Sequence, residues 1–533
     1  MTQVRVPQNL WENLIEIGKR ENMAKSVLKK LLVAKSPFGE IYNFNSKSDD
    51  IYRINDFINR NRKKKIVVVQ GLGFVGSAML TAVASAEGED RLPLYGAIGV
   101  DLPTVSTYWK IGRINEGKFP INCSDDYLLE VFDKCFKKGN IMSTADKYAY
   151  RVADIIVVDI NMDVEKFRNG KAKEIKVLLD DFVIAMNEVA KNIKPSCLVI
   201  VESTIPPGTC EKILVPLFES EFRKRGYKNP KINIVHSYER VMPGKNYLKS
   251  ITSFYRVFSG VNKSSKKGAK IFFESIIDTE HYPLTELQDT TASEMGKVLE
   301  NSYRAVNIAF MQEWTEFADT VGVNLYEVIE GIKKRDTHRN IMYPGFGVGG
   351  YCLTKDPLLA DWSKQRLFNC PGPLYMSVEA VSINDEMPLY SFNLLTKHLR
   401  NMREKRILLM GVSYLKDVAD TRFSPSELFY KKCIEFGACV ILHDPIVNYW
   451  PELNRYLKND LKSIEGERVD AIILAVKHDE YLHMKPRRYA RLLKKGGLIM
   501  DCNNIIDDKK AHLLRKRGYR VIGVGKGHWN RIL

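Results

Sequence analysis

Short apolar runs alternate with longer amphipathic stretches along most of the chain. Ile66 to Val69 is entirely apolar, as a strand buried on both faces requires, and similar runs recur in YGAIGVD, ADIIVVDI, SCLVIVEST and INIVHSYE. A second series follows in RILLMGVSYL, CVILHDP, DAIILAV and GLIMDCN. Strands that alternate with helices favour parallel sheets. The pattern therefore predicts an α/β fold with two Rossmann-like, doubly wound parallel-sheet domains.

The stretch between the two series has a helical pattern. TASEMGKVLENSYRAVNIAFMQEWTEFAD runs for 29 residues with Gly296 as its one glycine and without proline, which predicts a long central helix within Leu287 to Asp319. A second helical region is predicted over Pro373 to Leu399. Near the start of the chain, apolar residues recur at close to helical spacing and predict one or two amphipathic helices. These residues are Leu10, Leu14, Ile17, Val27, Leu31 and Leu32.

Composition restricts the class of protein. The 533 residues are 45% hydrophobic and 27% charged, which is typical of globular proteins. We find no apolar run of the roughly 20 residues that span a bilayer, and the N-terminus lacks the apolar core of a signal peptide. Nine cysteines without CxxC pairs or metal-ligand spacing indicate reduced thiols and no metal site. We therefore expect a cytoplasmic protein.

The net charge of +17 is concentrated at the two ends. Residues 1–65 hold 14 Lys/Arg against 7 Asp/Glu, and residues 494–533 hold 10 against 3. This excess is typical of solvated surface, of attraction for anionic nucleotides, or of docking to nucleic acid or an anionic membrane. Since no nucleic-acid motif is present, a nucleic-acid partner is not expected. Peripheral membrane contact through the basic N-terminal segment stays open.

GLGFVG, from Gly71 to Gly76, lies between an apolar strand and a predicted helix. Its glycines permit a tight turn, close approach of a pyrophosphate and close packing of helix on strand. Asp101 ends the next predicted strand, 25 residues after Gly76, where a carboxylate accepts hydrogen bonds from ribose hydroxyls and repels a 2′-phosphate. The loop predicts NAD as cofactor, in preference to NADP. Its predicted contacts are Gly71, Gly73, Phe74, Val75, Gly76 and Asp101.

GFGVGGYCLTKDP presents Cys352 directly after a glycine-rich turn. Such a turn gives access to the thiol and backbone N–H donors for an oxyanion, and Lys355 nearby could favour the thiolate. The alternative is a buried cysteine in a tight turn. A dinucleotide enzyme needs an accessible thiol when it oxidises an aldehyde through a thioester, so the two motifs together indicate oxidation beyond the aldehyde.

Polar residues collect on the long helix and at predicted strand ends. Lys297, Asn301 and Arg304 share one helix face and could grip an anionic substrate, although a solvated face gives the same pattern. In open α/β sheets, ligands bind beyond the carboxyl ends of strands. Residues predicted there are Glu202, Thr204, Glu239, Arg240, Val241, Asp420 and Arg422.

These segments together resemble the UDP-glucose/GDP-mannose dehydrogenase family. The resemblance runs from about Lys64 to the C-terminus through GLGFVG, VESTIPPGT, ERVMPG, EMGKVLENSYRAVNIAF, GFGVGGYCLTKDP, GVSYLKDVADTR and HDP, in that order. It implies oxidation of C6 of a nucleotide sugar to the carboxylate with two NAD⁺. The predicted domains are a helical extension at 1–62, an NAD-binding domain at 63–284, a helical connector that forms a homodimer or larger homo-oligomer at 285–399, and a nucleotide-sugar domain at 400–533.

The resemblance implies individual roles. Cys352 would be the nucleophile that forms the thiohemiacetal and thioester. Lys297 would stabilise oxyanions or shuttle protons, and Asn301 would donate a hydrogen bond to the same oxygen. Asp356 would assist proton transfer or orient groups around the thiol, and Glu202 is a candidate for handling the hydrolytic water. Thr204 and Arg422 would contact the cofactor or bridge to it. Implied substrate contacts are Glu239, Arg240, Val241, Lys297, Asn301, Arg304, Arg339, Gly349 and Tyr414.

The motifs point to two different substrate classes within the family. Arg240 and Arg304 are similar to substrate contacts in the UDP-N-acetylhexosamine dehydrogenases, whereas Lys355 in CLTKD is closer to the UDP-glucose and GDP-mannose members. We expect an acetamido sugar, oxidised for a surface polysaccharide, with UDP-glucose as the alternative.

Some segments depart from the family pattern. VVDIN has Ile160 where a threonine is expected, SYERV replaces SPERV, and Leu415 displaces Lys416 by one position. These departures leave open the hypothesis that the chain is not an active enzyme but a catalytically reduced protein that binds nucleotide sugars or acts as a scaffold. A simple alcohol dehydrogenase that stops at the aldehyde is disfavoured by Cys352.

Overall fold

A computed structural model describes residues 32–45, 49–169, 172–242 and 244–530. The chain divides into two compact units. The first runs to Lys297 and includes Trp362–Pro371, and the second comprises Val298–Asp361 and the chain from Gly372 onwards. The domain boundaries predicted at 62, 284 and 399 stay predictions.

The N-terminal part of the first unit begins with a hairpin. β1 (Leu32–Lys35) pairs antiparallel with β2 (Ile41–Phe44), and α1 (Ile51–Arg60) follows. The predicted helix over the first residues is wrong at Leu32–Lys35, because Pro37 and Gly39 form a turn in which Gly39 has φ +93°. The remaining predicted helical positions up to Leu31 lie outside the described residues.

The hairpin packs on α3 (Tyr108–Asn115). Phe44 stacks on Tyr108 with ring centroids 4.5 Å apart, and Arg113 forms an ion pair with Glu40. The Tyr42 ring lies so close to Gly112 that a Cβ there would come within 2.2 Å of it. The extension is thus fastened to the helix that follows Asp101.

An eight-stranded sheet forms the centre of the first unit. Its strands are β3 (Lys65–Gln70), β4 (Tyr95–Val100), β5 (Ile141–Thr144), β6 (Ile155–Val158), β9 (Leu198–Val201), β10 (Ile234–His236), β11 (Val257–Gly260) and β12 (Thr285–Glu286). Two further strands, β7 (Val164–Asn169) and β8 (Ala172–Val177), form a separate antiparallel pair. The sheet order is β12-β11-β10-β9-β6-β3-β4-β5, parallel except for β10 against β11. The chain changes direction across the sheet between β3 and β6, which is the predicted doubly wound topology.

Helices cover this sheet because its strands are apolar on both faces. Val67, Val69 and Ile200 belong to a core that includes Ala78 and Met79 of the helix after β3. The helices are α2 (Phe74–Ser85), α4 (Asp126–Lys137), α5 (Tyr148–Val152), α6 (Leu179–Asn192), α7 (Val215–Lys224), α8 (Lys249–Thr252) and α9 (Lys263–Glu274), with one π-helical turn at Cys210–Leu214.

One long helix, α10 (Thr290–Val321), begins in the first unit and continues in the second, as the sequence predicts. The helices of the connector that follow it are α11 (Leu325–Ile332), α12 (Asp356–Arg366) and α13 (Tyr375–Leu399). The predicted second helical region is therefore confirmed as α13.

The second unit contains a five-stranded parallel sheet of order β14-β13-β17-β18-β19. Its elements are β13 (Arg406–Met410), α14 (Pro425–Glu435), β14 (Cys439–His443), β15 (Tyr449–Trp450), β16 (Arg455–Tyr456), β17 (Val469–Leu474), α15 (Asp479–Leu482), α16 (Pro486–Leu492), β18 (Leu493–Asp501), α17 (Asp508–Lys516), β19 (Arg520–Gly523) and α18 (Gly527–Asn530). The second predicted parallel sheet is confirmed. In the described parts of the chain, none of the helices combines the length and apolarity needed to cross a bilayer.

Candidate active site

The glycine-rich loop of the first unit joins β3 to α2. Gly71 has φ +94°, and a Cβ there would lie 2.3 Å from the carbonyl oxygen of Asp159. A Cβ at Gly76 would lie 1.8 Å from the Gly71 carbonyl oxygen, whereas a Cβ at Gly73 would meet no atom within 4 Å. Gly71 and Gly76 are therefore required by packing, while the open side of Gly73 leaves room for a ligand at the start of α2.

Asp101 follows the next strand, β4. One carboxylate oxygen accepts hydrogen bonds from the backbone N–H of Leu72, at 3.2 Å, and from Lys110 Nζ, at 3.1 Å. The carboxylate is thus fixed next to the glycine-rich loop. The open cradle at Gly73, the N-terminus of α2 and the fixed carboxylate together fit the pyrophosphate and ribose of a dinucleotide.

Three carboxyl groups and two cations gather beyond the ends of β6, β9 and β10. Arg256 Nη1 lies 2.9 Å from Glu202 Oε1, and both side chains are buried. Lys297 Nζ donates to the Glu239 carbonyl oxygen at 2.9 Å and lies 3.4 Å from Glu239 Oε1. The third carboxyl group belongs to Asp159. The structure therefore brings together Glu202, Glu239 and Lys297. The two glutamates follow strands, whereas Lys297 comes from the long helix.

Burial raises the pKa of Glu202 to about 7, with Arg256 acting in the opposite direction and Glu239 adding to the rise. Glu202 Oε2 is buried without a hydrogen-bond partner in the described structure. A carboxyl group with a pKa near neutrality can take up or release a proton under physiological conditions.

Glu294, near the start of α10, anchors the segment that follows Glu202. Its two carboxylate oxygens accept the backbone N–H groups of Gly208, at 2.5 Å, and Cys210, at 2.8 Å. Ser363 donates to the Pro207 carbonyl oxygen of the same segment, at 2.5 Å. This loop also contains Thr204, which is partly exposed beyond β9.

The ERVMPG segment follows β10. Arg240 donates to the Tyr255 carbonyl oxygen and to the Tyr238 hydroxyl, at 3.1 and 3.2 Å, and the N–H of Val241 donates to Glu239 Oε2 at 2.5 Å. The backbone after Glu239 is therefore folded back on the Glu239 carboxylate, which fixes the side chain that holds Lys297.

The second unit presents Cys352 on the turn that leads into α12. The thiol-bearing residue is exposed, and its carbonyl oxygen accepts the N–H groups of Lys355 and Asp356 at 3.2 and 3.0 Å. None of the nine cysteines, all of which lie in the described residues, forms a disulfide, and most are buried. A buried, inert Cys352 is thus not what the structure shows.

Behind the cysteine, Asp356 is fully buried between two partners. Asn301 Nδ2 donates to one carboxylate oxygen at 2.6 Å, and Lys355 Nζ lies 2.9 Å from the other. Lys355 also lies over the Tyr351 ring, 4.7 Å from its centroid. Its charge is therefore matched inside the unit by Asp356.

The turn before Cys352 packs on the GVSYLKDVADTR loop. Cβ atoms at Gly349 and Gly350 would each lie 2.6 Å from Tyr414 side-chain atoms, and the Gly350 N–H donates to the Arg422 carbonyl oxygen at 3.0 Å. Arg422 is held in turn by Asp420, with Nη2 to Oδ2 at 2.6 Å. Glycine is thus required for the two loops to touch.

Three other residues that the sequence singles out are Arg304, Arg339 and Lys416. Arg304 is exposed on α10, and Arg339 is exposed and paired with Asp336 at 2.5 Å. Lys416, the displaced lysine, is paired with Asp479 at 2.6 Å. The structure provides no contact that tests their predicted substrate roles.

Sequence reasoning missed Asp159, Arg256, Lys110 and Glu294. Asp159 had a usable signal, since it directly follows an apolar strand run as Asp101 does. Glu294 lies within EMGKVLENSYRAVNIAF, but nothing in that motif indicates its contacts with Gly208 and Cys210. Arg256 and Lys110 lie outside the motifs, and only the fold brings them to Glu202 and Asp101.

Three domain models of one family match the chain in succession. The NAD binding domain matches residues 64–277, the central domain residues 291–385 and the UDP binding domain residues 408–508. The chain belongs to the UDP-glucose/GDP-mannose dehydrogenase family. This membership confirms the predicted resemblance, the NAD cofactor and dehydrogenase activity on a nucleotide sugar.

Individual members of the family resemble the chain over most of its length. It is 29% identical to a UDP-N-acetyl-D-mannosamine dehydrogenase of Methanococcus vannielii over 89% of this chain and 100% of that protein. An NDP-N-acetyl-D-galactosaminuronic acid dehydrogenase structure from Methanosarcina mazei Go1 superposes with a TM-score of 0.72 at 26% identity, covering 90% of this chain and 98% of that one. A UDP-D-ManNAc dehydrogenase structure from Pyrococcus horikoshii gives 0.71 at 27% identity, covering 87% and 100%.

Proposed function

We propose that this dehydrogenase oxidises C6 of a UDP-N-acetylhexosamine from alcohol to carboxylate, for a surface polysaccharide. The observation that carries the proposal is Cys352, exposed on the turn before α12, together with the buried Asn301–Asp356–Lys355 cluster at the start of that helix. Bound NAD⁺ supplies the hydride acceptor, and two are consumed for each sugar. The sum is one alcohol, one water and two NAD⁺ converted to one carboxylate, two NADH and three protons.

Cys352 acts on the aldehyde formed by the first oxidation. Its sulfur adds to C6 to give a thiohemiacetal, and the loss of hydride from C6 converts this to a thioester that water cleaves. The N-terminal turn of α12 favours negative charge on the sulfur. The glycine-rich turn before Cys352 has no side chains at its glycines that would block the aldehyde from the sulfur.

The remaining polar residues handle charge and protons in this proposal. Lys297 and Asn301 stabilise the oxyanion, and Asp356 fixes the Asn301 amide through the 2.6 Å hydrogen bond. Glu202, with a pKa near neutrality and an unpaired oxygen, takes the proton of the hydrolytic water. Arg240, Arg304 and Arg339 contact the nucleotide sugar.

The relatives support an acetamido sugar. The Methanococcus vannielii and Pyrococcus horikoshii relatives are named for UDP-N-acetylmannosamine, and the Methanosarcina mazei structure for an NDP-N-acetyl-D-galactosaminuronic acid. Lys355, the residue that favours UDP-glucose, has its charge matched by Asp356 within the unit. Lys355 is therefore compatible with either substrate, and the relatives favour UDP-N-acetylmannosamine.

A panel of nucleotide sugars tests the substrate. We expect NADH formation, read at 340 nm, with UDP-N-acetylmannosamine and little or none with UDP-glucose, UDP-N-acetylglucosamine, UDP-N-acetylgalactosamine or GDP-mannose. Turnover of UDP-glucose alone would contradict the acetamido assignment. Tight binding of a UDP-sugar without any NADH would instead support a binding or scaffold protein.

The second-unit part of α10 supports a homodimer. Five large apolar side chains lie on one face of the helix and are each between 47% and 62% exposed: Leu299, Tyr303, Phe310, Trp314 and Phe317. A patch of this kind is typical of a surface that a second copy covers. Light scattering should give a mass of at least twice the 61.1 kDa chain, reduced by Trp314→Glu, and a monomer mass for the unaltered protein would contradict the dimer. Nine cysteines without a disulfide support a location in the reducing cytoplasm.

A further inference from the structure

Asp159 lies where the sheet of the first unit changes direction. It directly follows β6, and Gly71 directly follows the neighbouring strand β3. The chain leaves these two strands toward opposite sides of the sheet, and dinucleotides bind in the crevice that results. A carboxyl group therefore stands at the place where the pyrophosphate is expected.

The side chain of Asp159 packs against the glycine-rich loop itself. Its Cβ lies 3.3 Å from the position that a Cβ at Gly76 would take, and its N–H donates to the Gln70 carbonyl oxygen at 2.8 Å. The residue is partly exposed, whereas its Oδ2 is buried without a hydrogen-bond partner in the described structure. Asp159 thus borders the cradle without having a hydrogen bond for this oxygen.

The group around Asp159 contains three carboxyl groups but two cations, Arg256 and Lys297. Arg256 is paired with Glu202, and Lys297 with Glu239, so both cations of the group are already matched by a carboxylate. Among the described residues, Asp159 has no ion pair of its own. If all three acids were ionised, the group would carry one negative charge beside a ligand that brings two more in its pyrophosphate.

Burial and the two neighbouring acids favour the neutral form of Asp159. Burial, then Glu202 from the end of β9, then Glu239 from beyond β10 raise the pKa of Asp159 well above its ordinary value, and Arg256, next to β11, opposes them. Tyr247, whose hydroxyl donates to the Phe74 carbonyl oxygen in the loop, also faces Asp159. A carboxyl group that has a buried oxygen and no cation of its own stays protonated at higher pH than a fully solvated one.

We propose that Asp159 is a dinucleotide-binding residue that contacts the pyrophosphate of NAD as a neutral carboxylic acid, donating its proton in a hydrogen bond to a phosphate oxygen. Where the free protein has lost that proton, binding takes one from solvent and keeps it on Asp159. The proposal concerns the cofactor alone and does not depend on which sugar is oxidised.

The dissociation constant of NAD⁺ for the full-length protein tests this between about pH 6 and about pH 9. We expect the constant to be level at low pH and then to rise toward about tenfold for each pH unit, because one proton is linked to binding. Asp159→Asn keeps the shape and a donor but cannot ionise, so its profile should be nearly level. ADP-ribose, which has the pyrophosphate but no nicotinamide, should follow the same profile as NAD⁺.

Two further variants separate the neighbouring acids. Glu202→Gln removes a negative neighbour, so the rise should begin at lower pH; a level profile in this variant would instead assign the proton to Glu202 and overturn the proposal. Asp154→Asn is the matched control at the opposite end of β6, where Asp154 accepts the Ile66 N–H, and should keep the unaltered profile.

Calorimetry of the unaltered protein keeps the proposal testable even if Asp159→Asn does not fold. At the upper end of the pH range, the heat of NAD⁺ binding in two buffers of different ionisation enthalpy should reveal uptake of close to one proton. The assignment to the pyrophosphate would be overturned if no proton were taken up, or if the dissociation constant of the unaltered protein did not change with pH. It would also be overturned if the constant depended on pH for NAD⁺ but not for ADP-ribose.

Discussion

Replacement of Cys352 by alanine should abolish formation of the uronic acid while leaving both units folded. The side chain is exposed on a turn and contributes little to packing, so the thermal midpoint should stay close to that of the unaltered protein. Loss of a covalent nucleophile costs about 10⁴- to 10⁶-fold in turnover. Acid formation, measured by chromatography of the products, should therefore fall below detection.

Cys439→Ala is the matched control, because Cys439 is also exposed and outside any disulfide but begins β14 instead of lying on the turn before α12. It should retain full activity. Acid formation at the unaltered rate in Cys352→Ala would show that the thioester route is wrong. Loss of activity in both variants would point to a general effect of removing a surface thiol.

Replacement of Arg256 by methionine should strongly destabilise the first unit. Arg256 is 3% exposed and is the ion-pair partner of Glu202, which is 1% exposed. Removing one partner of a buried pair leaves an uncompensated charge and costs about 3–5 kcal/mol. The free energy of unfolding, from urea titration followed by circular dichroism, should fall by about this amount at pH 8.

The stability lost in Arg256→Met should be smallest in acid and should grow as the pH rises. The pKa of Glu202 in the folded protein, about 7, lies above the ordinary value of 4.5, so between these values the folded state binds more protons than the unfolded state. Stability from this group therefore falls as the pH rises from about 4.5 through about 7. Without Arg256 the pKa rises further, so the variant should lose least stability in acid.

A double variant provides the control. In Arg256→Met with Glu202→Gln the buried charge is absent, so much of the lost stability should return, as a double-mutant cycle would show. If the single variant were as stable as the unaltered protein at pH 8, the ion pair would not be the contact that holds Glu202.

The sequence predicts those features that local pattern determines. GLGFVG between an apolar strand and a helix predicts the loop at Gly71 and Gly76, and the uninterrupted helical stretch predicts α10 to within a few residues. Cys352 is predicted as accessible by the glycines before it. In each case the residues that determine the structure are neighbours in the chain.

Features that depend on distant contacts were not predictable. Nothing near Glu202 indicates that its partner is Arg256, 54 residues later, and nothing near Asp159 indicates that the available cations pair with other acids. The hairpin was mistaken for a helix because Leu31 and Leu32 continue an amphipathic spacing. The structure fixes Leu32–Lys35 as a strand through its pairing with Ile41–Phe44.

The ratio of NADH formed to UDP-N-acetylmannosamine consumed tests the central claim most directly. With excess NAD⁺ and a limiting amount of sugar, the absorbance at 340 nm at completion should correspond to two NADH for each sugar, and the product should be the uronic acid by mass spectrometry. One NADH for each sugar, with an accumulated aldehyde, would contradict the four-electron oxidation through Cys352.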